Sequence, residues 1–179
     1  CLFAAGRYRF LRLPPALWRC PVLSPSPADR GNPAPVPLAD QDLALISFTS
    51  GSTGAPQAIP RSHGLLMAQY DALRRLLASE REEVDLVAFP VFCLVNLAEG
   101  RTSVLPNWKI SRPDSVSPEG LAAWIARSGA TRALLPPWLC EVLARADMPP
   151  ALHTVFTGGG PVKPALVGRL QARRPGLRV

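Results

Sequence analysis

The sequence predicts an α/β fold, part of a mostly parallel sheet with helices on both faces. From Leu43 onward, short apolar runs alternate with amphipathic stretches of helical period. The runs are separated by helix-length segments rather than tight turns, and strand–helix–strand order at such spacing implies parallel crossovers. The 47% hydrophobic content of 179 residues suffices for one domain with a real core. It also excludes a wholly disordered chain. No run approaches the ~18 uncharged apolar residues of a transmembrane helix.

The elements follow in order. Residues 1–20 read as a basic amphipathic segment, with Leu2, Phe3, Phe10, Leu13 and Leu17 among arginines. A membrane-surface or partner-docking helix and a plain surface segment are both open readings. Residues 21–37 carry Pro21, Pro25, Pro27, Pro33, Pro35 and Pro37, the composition of a linker or extended strap. The domain boundary is therefore placed between 1–42 and 43–179. The run "LALISF" (43–48) suits a buried strand, followed by a Gly/Ser/Thr loop. Ser62 is positioned to cap a helix reaching about Ser79, whose stripe is Leu66, Tyr70, Leu73 and Leu77. "DLVAF" (85–89) and "TSVLP" (102–106) read as strands. Ser117, Pro118, Glu119 and Gly129 punctuate a helix over 118–128. "TRALLP" (131–136) is the next strand, then a helix near 137–146. "LHTVFTGGG" (152–160) is a strand entering a glycine loop, and a last helix spans 163–174.

Charge is unevenly placed. The net +7 divides into +4 over residues 1–28, −2 over 29–147 and +5 over 148–179. A basic chain invites nucleic acid or an anionic membrane surface. The bases are not interleaved with aromatics, and 18 of the 20 are Arg, which disfavours nucleic acid. Cys1, Cys20, Cys93 and Cys140 form no CxxC pair, and only His63 and His153 are available to join them. No metal site is expected, and a reducing, cytoplasmic compartment fits. Arg7, Arg9, Arg12 and Arg19 break the N-terminal apolar stretch, unlike a signal peptide. The chain starts at Cys1 and stops at Val179 as a strand-like run begins, so a piece of something longer is expected.

The stretch "ISFTSGSTGAPQAIPRSHG" (46–64) carries the most chemistry. Small side chains at Thr49, Ser50, Gly51, Ser52, Thr53 and Gly54 let backbone N–H groups approach an anion, and the hydroxyls add donors. Placed after a strand in an open sheet, such a loop suits phosphate. A flexible linker is the competing reading. No Gly-Lys-Ser/Thr follows, so it is not a Walker loop.

Thr49 through Pro56 resembles the phosphate-loop signature of adenylate-forming (AMP-binding) enzymes, which reads roughly Thr-Ser-Gly-Ser-Thr-Gly-x-Pro-Lys-Gly. In the expected order, "FPVFCLVNLAEGRTSVLP" (89–106) is similar to the segment lining the acyl pocket, and "VFTGGGPV" (155–162) to the glycine loop near adenine and acyl groups. The form "FPVFCLVN" looks closest to the olefin-biosynthesis β-lactone synthetase and acyl-CoA synthetase-like branch. The resemblance implies an incomplete N-terminal domain of such an enzyme. The implied activity is ATP- and Mg²⁺-dependent activation of a fatty or other hydrophobic carboxylic acid as acyl-adenylate. It further implies that Thr49–Gly54, with Gln57, face the ATP phosphates. Phe92 and Cys93 would border the acyl site, beside Gly158, Gly159, Gly160 and Pro161.

Departures accompany the match. Gln57 and Ala58 stand where the signature has Lys and Gly, exchanging a charged phosphate donor for a neutral one. Arg61 is the nearest substitute cation. Cys93 stands where acyl-CoA synthetases usually carry His. The Tyr-Gly-x-Thr-Glu stretch that supplies the magnesium-binding Glu does not occur, so this chain alone is not expected to complete adenylation. The alternative function is a non-catalytic homologue that binds a partner or anionic membrane through its basic ends. His63 reads as helix-end packing, His153 as an ordinary strand position, and Cys140, Trp124 and Trp138 as core.

Overall fold

The structure, a computed structural model, describes residues 2–3, 22–23, 36–49, 57–108 and 113–179. The chain divides into two compact units, Cys1–Leu38 and Ala39–Val179. In the first, β1 (Leu2–Phe3) pairs in parallel with β2 (Val22–Leu23). The remainder of the expected basic helix, and most of the proline strap, lie outside the described residues.

The second unit begins with β3 (Leu43–Thr49) and β4 (Gln57–Ser62), an antiparallel pair. This corrects the expectation of a buried strand at 43–48. Leu43, Leu45, Ile46 and Phe48 are exposed, Phe48 at 69%. An apolar run fits a strand but does not say which partner it finds, and here the partner is the sequence directly after the loop. The antiparallel partner, β4, had no signal of its own: Pro60 and Arg61 interrupt any alternation.

Next come α1 (His63–Leu76), β5 (Val84–Val87), α2 (Pro90–Ala98) and β6 (Thr102–Val104). After a 3-10 turn at Pro113–Ser115 follow α3 (Pro118–Ser128), β7 (Arg132–Leu135), α4 (Pro137–Leu143), β8 (Thr154–Thr157) and α5 (Pro164–Arg173). The caps read from sequence are present. Ser62 Oγ accepts from the Leu65 N–H at 3.2 Å, and Ser117 Oγ from Gly120 at 3.0 Å. Gly129 ends α3 in the left-handed region at φ 67°, which a Cβ would disfavour.

Strands β6, β5, β7 and β8 lie side by side in that order, all parallel. Alternation along each strand sends side chains to two apolar clusters. Leu86, Ala133, Leu135 and Val155 join Leu121 and Ile125 of α3, Leu139 and Leu143 of α4, and Leu166 and Leu170 of α5. Val87 and Leu134 join Leu77, Tyr70 and Leu73 from α1 and its end, with Val95 of α2. The sheet is thus covered on both faces, as expected. Of the α1 stripe, Tyr70, Leu73 and Leu77 pack on the sheet-side cluster and Leu66 lies along the groove with α2, while Asp71, Arg74 and Arg75 are exposed. Cys140 is buried, and Trp124 packs on the first cluster with its Nε1–H donated to the Leu105 carbonyl. Trp138 is instead 37% exposed, a correction to its expected core position; it follows Pro137 at the open start of α4.

At the starting ends of the strands, Glu83 ties the layers together. Its carboxylate accepts from Ser79 Oγ and Thr131 Oγ1, both at 2.6 Å, and lies 3.1 Å from His153 Nε2. Burial alone would raise the Glu83 pKa. The two hydroxyl donors, with the positive potential of His153 and Arg132, outweigh it and hold the carboxyl below its ordinary value. A depressed folded pKa stabilises the fold above the unfolded-chain value of 4.5, and that contribution fades as pH falls through the lower folded value. Glu83→Gln is therefore expected to lower the urea midpoint at neutral pH and to narrow the drop between neutral and about pH 3.5. An unchanged pH dependence in the variant contradicts this role.

Candidate functional site

Parallel α/β sheets bind ligands beyond the carboxyl ends of their strands. At that end of this sheet lies an apolar cavity of about 420 Å³. One wall is the start of α2, with Phe89, Val91 and Phe92. A second is the end of α1, Leu76 and Leu77. Leu134, Val155 and Phe156 lie on the sheet side with Thr157, Gly158 and Gly159 beyond them, and Val179 also borders the space. Two stretches far apart in sequence, the "FPVFCLVN" segment and the glycine loop, therefore meet in one wall-to-wall space.

Local sequence explains each placement. Pro90 sits in the first turn of α2 and starts the helix directly after Phe89, turning Phe92 toward the sheet. Phe89 and Phe92 contact each other with ring centroids 5.9 Å apart. Gly159 has φ 76°, and a Cβ there would lie 3.2 Å from Phe89 Cε1. The residue must be glycine both for its backbone and for the aromatic wall that crosses it.

The expected acyl-pocket residues divide. Phe92, Gly158 and Gly159 line the cavity. Cys93 is half-buried beside it, packed with the cluster between α1, α2 and the sheet. Gly160 and Pro161 lie next in the loop without lining it, Gly160 facing Pro137. Of the expected phosphate residues, Ser50, Gly51, Ser52, Thr53 and Gly54 lie outside the described residues. Thr49 and Gln57 are register partners at the open end of the β3–β4 pair, so they bracket that loop, and Gln57 is exposed. Arg61 is committed elsewhere: its Nε–H is donated across the pair to Ser47 Oγ at 3.1 Å.

Burial raises the Cys140 thiol pKa, and nearby Glu141 adds to this against an opposing contribution from Thr157. That cysteine is a packing residue. His153 and Glu83 lie at the other end of the strands from the cavity. Among the described residues, no group of three or more His, Cys, Asp or Glu lies together to hold a metal ion. None of their helices is long and apolar enough to cross a membrane. The basic C-terminal segment is engaged within the fold. Arg169 pairs with Glu141, Arg173 and Arg174 donate to carbonyls of Ala146 and Leu152, and Arg178 donates to Thr154 Oγ1.

Residues 12–179 match the family described as AMP-binding enzyme. The chain belongs to the AMP-binding enzyme family. It is 35% identical over 147 residues to an olefin β-lactone synthetase of Stenotrophomonas maltophilia, covering 82% of this chain and 27% of that relative. The chain thus spans about a quarter of that relative's length. Among solved structures, a complex of VinN with L-aspartate superposes with a TM-score of 0.64 at 21% identity, over 79% of this chain and 37% of the other. The O-succinylbenzoate coenzyme A synthetase of Bacillus subtilis, in complex with ATP and magnesium ion, gives 0.60 at 18% identity, over 75% and 29%. At those identities the structures show a shared fold. Family membership agrees with the loop, the aromatic segment and the glycine stretch read from sequence.

Gly159→Ala is expected to cost about 1–2 kcal/mol in thermal or urea unfolding, from the left-handed backbone alone. Gly158→Ala is the control: nothing lies within 4 Å of its added Cβ and its φ is not positive. Equal effects at the two positions contradict the assigned geometry.

Proposed function

We propose that this chain supplies the acyl pocket and part of the nucleotide site of an enzyme that activates a hydrophobic carboxylic acid with ATP, forming an acyl-adenylate. The observation that carries the reading is the apolar cavity bounded by Phe92 and by Gly158–Gly159, in a member of the AMP-binding family. In this reading residues 43–179 are the partial AMP-binding domain, preceded by a basic, proline-rich strap over residues 1–42.

The acid's tail enters between α2 and the sheet and is held by apolar burial, worth roughly 25 cal/mol per Å² removed from water. Its carboxylate is left at the glycine-loop end, where unhindered backbone admits the nucleotide. A carboxylate oxygen attacks the α-phosphorus, the bond to the bridging oxygen breaks, and pyrophosphate departs. Thr49–Gly54 donate to the β and γ phosphates, where charge gathers on the leaving group. Gln57 borders them as a neutral donor. Pro161 shapes the loop. Cys93 backs the acyl wall from α2. Magnesium accompanies ATP in this reading, and among the described residues no cluster of acidic or other metal-ligating side chains gathers to hold it.

ATP binding tests the loop assignment. Gln57→Lys exchanges a neutral for a charge-assisted contact and is expected to tighten ATP about five- to tenfold, since 1.4 kcal/mol is tenfold. Calorimetric titration of both forms checks this; equal affinity removes Gln57 from the phosphate site. Acid-dependent exchange of labelled pyrophosphate into ATP, by the native protein that carries this chain, tests the activity. Exchange stimulated by medium or long alkyl carboxylic acids is expected. Absence of exchange with every acid overturns the ligase reading.

A further inference from the structure

Behind the cavity, on its sheet side, lies a buried polar assembly that the acid-activation reading does not use. Asp85 is fully buried and Arg132 is 2% exposed. Arg132 Nε and Nη2 donate to the two Asp85 oxygens at 2.6 and 2.8 Å, a bidentate pair. The third guanidinium nitrogen, Nη1, donates to the Leu77 carbonyl at 2.7 Å. The guanidinium carbon lies 5.6 Å from the centroid of the Phe156 ring. Asn96 Nδ2 donates to Asp85 at 2.9 Å and to Ser103 Oγ at 3.0 Å. Leu77 and Phe156 are cavity walls, and Asn96 is on the same helix as the walls Val91 and Phe92. One guanidinium therefore touches two walls and reaches the third through Asp85 and Asn96.

We propose that Arg132 is a positioning residue that fixes the inner limit of the cavity, and so sets the tail length of the carboxylic acid it admits. This rests on the acyl reading of the cavity. The planar fork is what the site requires. An ammonium in its place keeps a charge opposite Asp85, but it cannot donate to both carboxylate oxygens, reach the Leu77 carbonyl and stay over the Phe156 ring together. Without the fork, the Phe156 ring and the end of α1 lose their common anchor and the inner wall retreats.

The test is binding of a series of saturated fatty acids, from hexanoate to hexadecanoate, to the full chain, measured by isothermal titration calorimetry. Arg132→Lys keeps the charge pair. Asp85→Leu with Arg132→Met removes both charges at similar volume, an exchange that buried pairs tolerate. Circular dichroism identifies which of the two variants is folded. The wild type is expected to show a length preference, and either folded variant to shift the ratio of long-acid to short-acid affinity at least tenfold toward longer tails. A purely structural role lowers the melting temperature and leaves that ratio unmoved. A folded variant with the wild-type length profile overturns the inference alone. A wild type that binds none of the acids overturns the acyl reading, and the inference with it.

Discussion

The central pair of strands is joined by an ion pair that water does not reach, and the rest of the sheet is arranged around it. Asp85 and Arg132 are register partners across the parallel strands β5 and β7, so the pair spans adjacent backbones directly. Removing two charges from water is costly, and an unpartnered survivor would cost about 3–5 kcal/mol. That penalty disfavours other alignments of the two strands. A slip of one residue would carry Asp85 or Arg132 to the opposite face, among Leu86 and Ala133, where the cluster is wholly apolar. The Leu77 carbonyl accepts from Arg132, and Asn96 donates to both Asp85 and Ser103 while its own Oδ1 has no protein partner, so the same alignment bears on where α1 ends and how α2 lies.

With register fixed, the division of labour between faces follows. The face under α3, α4 and α5 is an unbroken hydrocarbon cluster and supplies most of the burial. The face under α1 and α2 is thinner: four fully buried apolar residues, supplemented by Tyr70, Leu73, Phe92, Cys93 and Phe156. Its carboxyl end is left open as the cavity. The stable face and the ligand-accessible face are thus opposite sides of the same four strands. At the other strand end, Glu83, Thr131 and His153 link β5, β7 and β8 through side-chain contacts.

Much of this was legible in the sequence because the relevant signals are local. Ser62, Ser117 and Gly129 sit where a helix needs a side-chain acceptor or a left-handed stop, and each does that work. The stripe Leu66, Tyr70, Leu73 and Leu77 has one period and therefore one inward side, half-buried along α1 and fully buried at Leu77. The aromatic segment and the glycine stretch were legible through their resemblance to the family's motifs, and the fold sets Phe92 and Gly158–Gly159 around one cavity. Other features depend on partners distant in sequence. Leu43–Phe48 has the composition of a buried strand, yet its cover is set by β4, whose own sequence carries no alternation. The helix at Pro90–Ala98 is almost uniformly apolar and gives no period to read. Asp85 and Arg132 each sit at the edge of an apolar run, where a charge normally marks a strand end facing water. Only their pairing, 47 residues apart, makes both of them interior.

The claim on which the account turns is that the space between α2 and the glycine loop receives the acid's tail. Photolabelling reads this directly. A fatty acid carrying a diazirine near its tail end, irradiated with the chain and mapped by mass spectrometry of peptides, reports the residues that surround the tail. The account predicts label on the peptides containing Phe89–Phe92 and Phe156–Gly159, with competition by unlabelled acid. Label confined to the exposed apolar residues of the β3–β4 pair, or spread without competition, would contradict it.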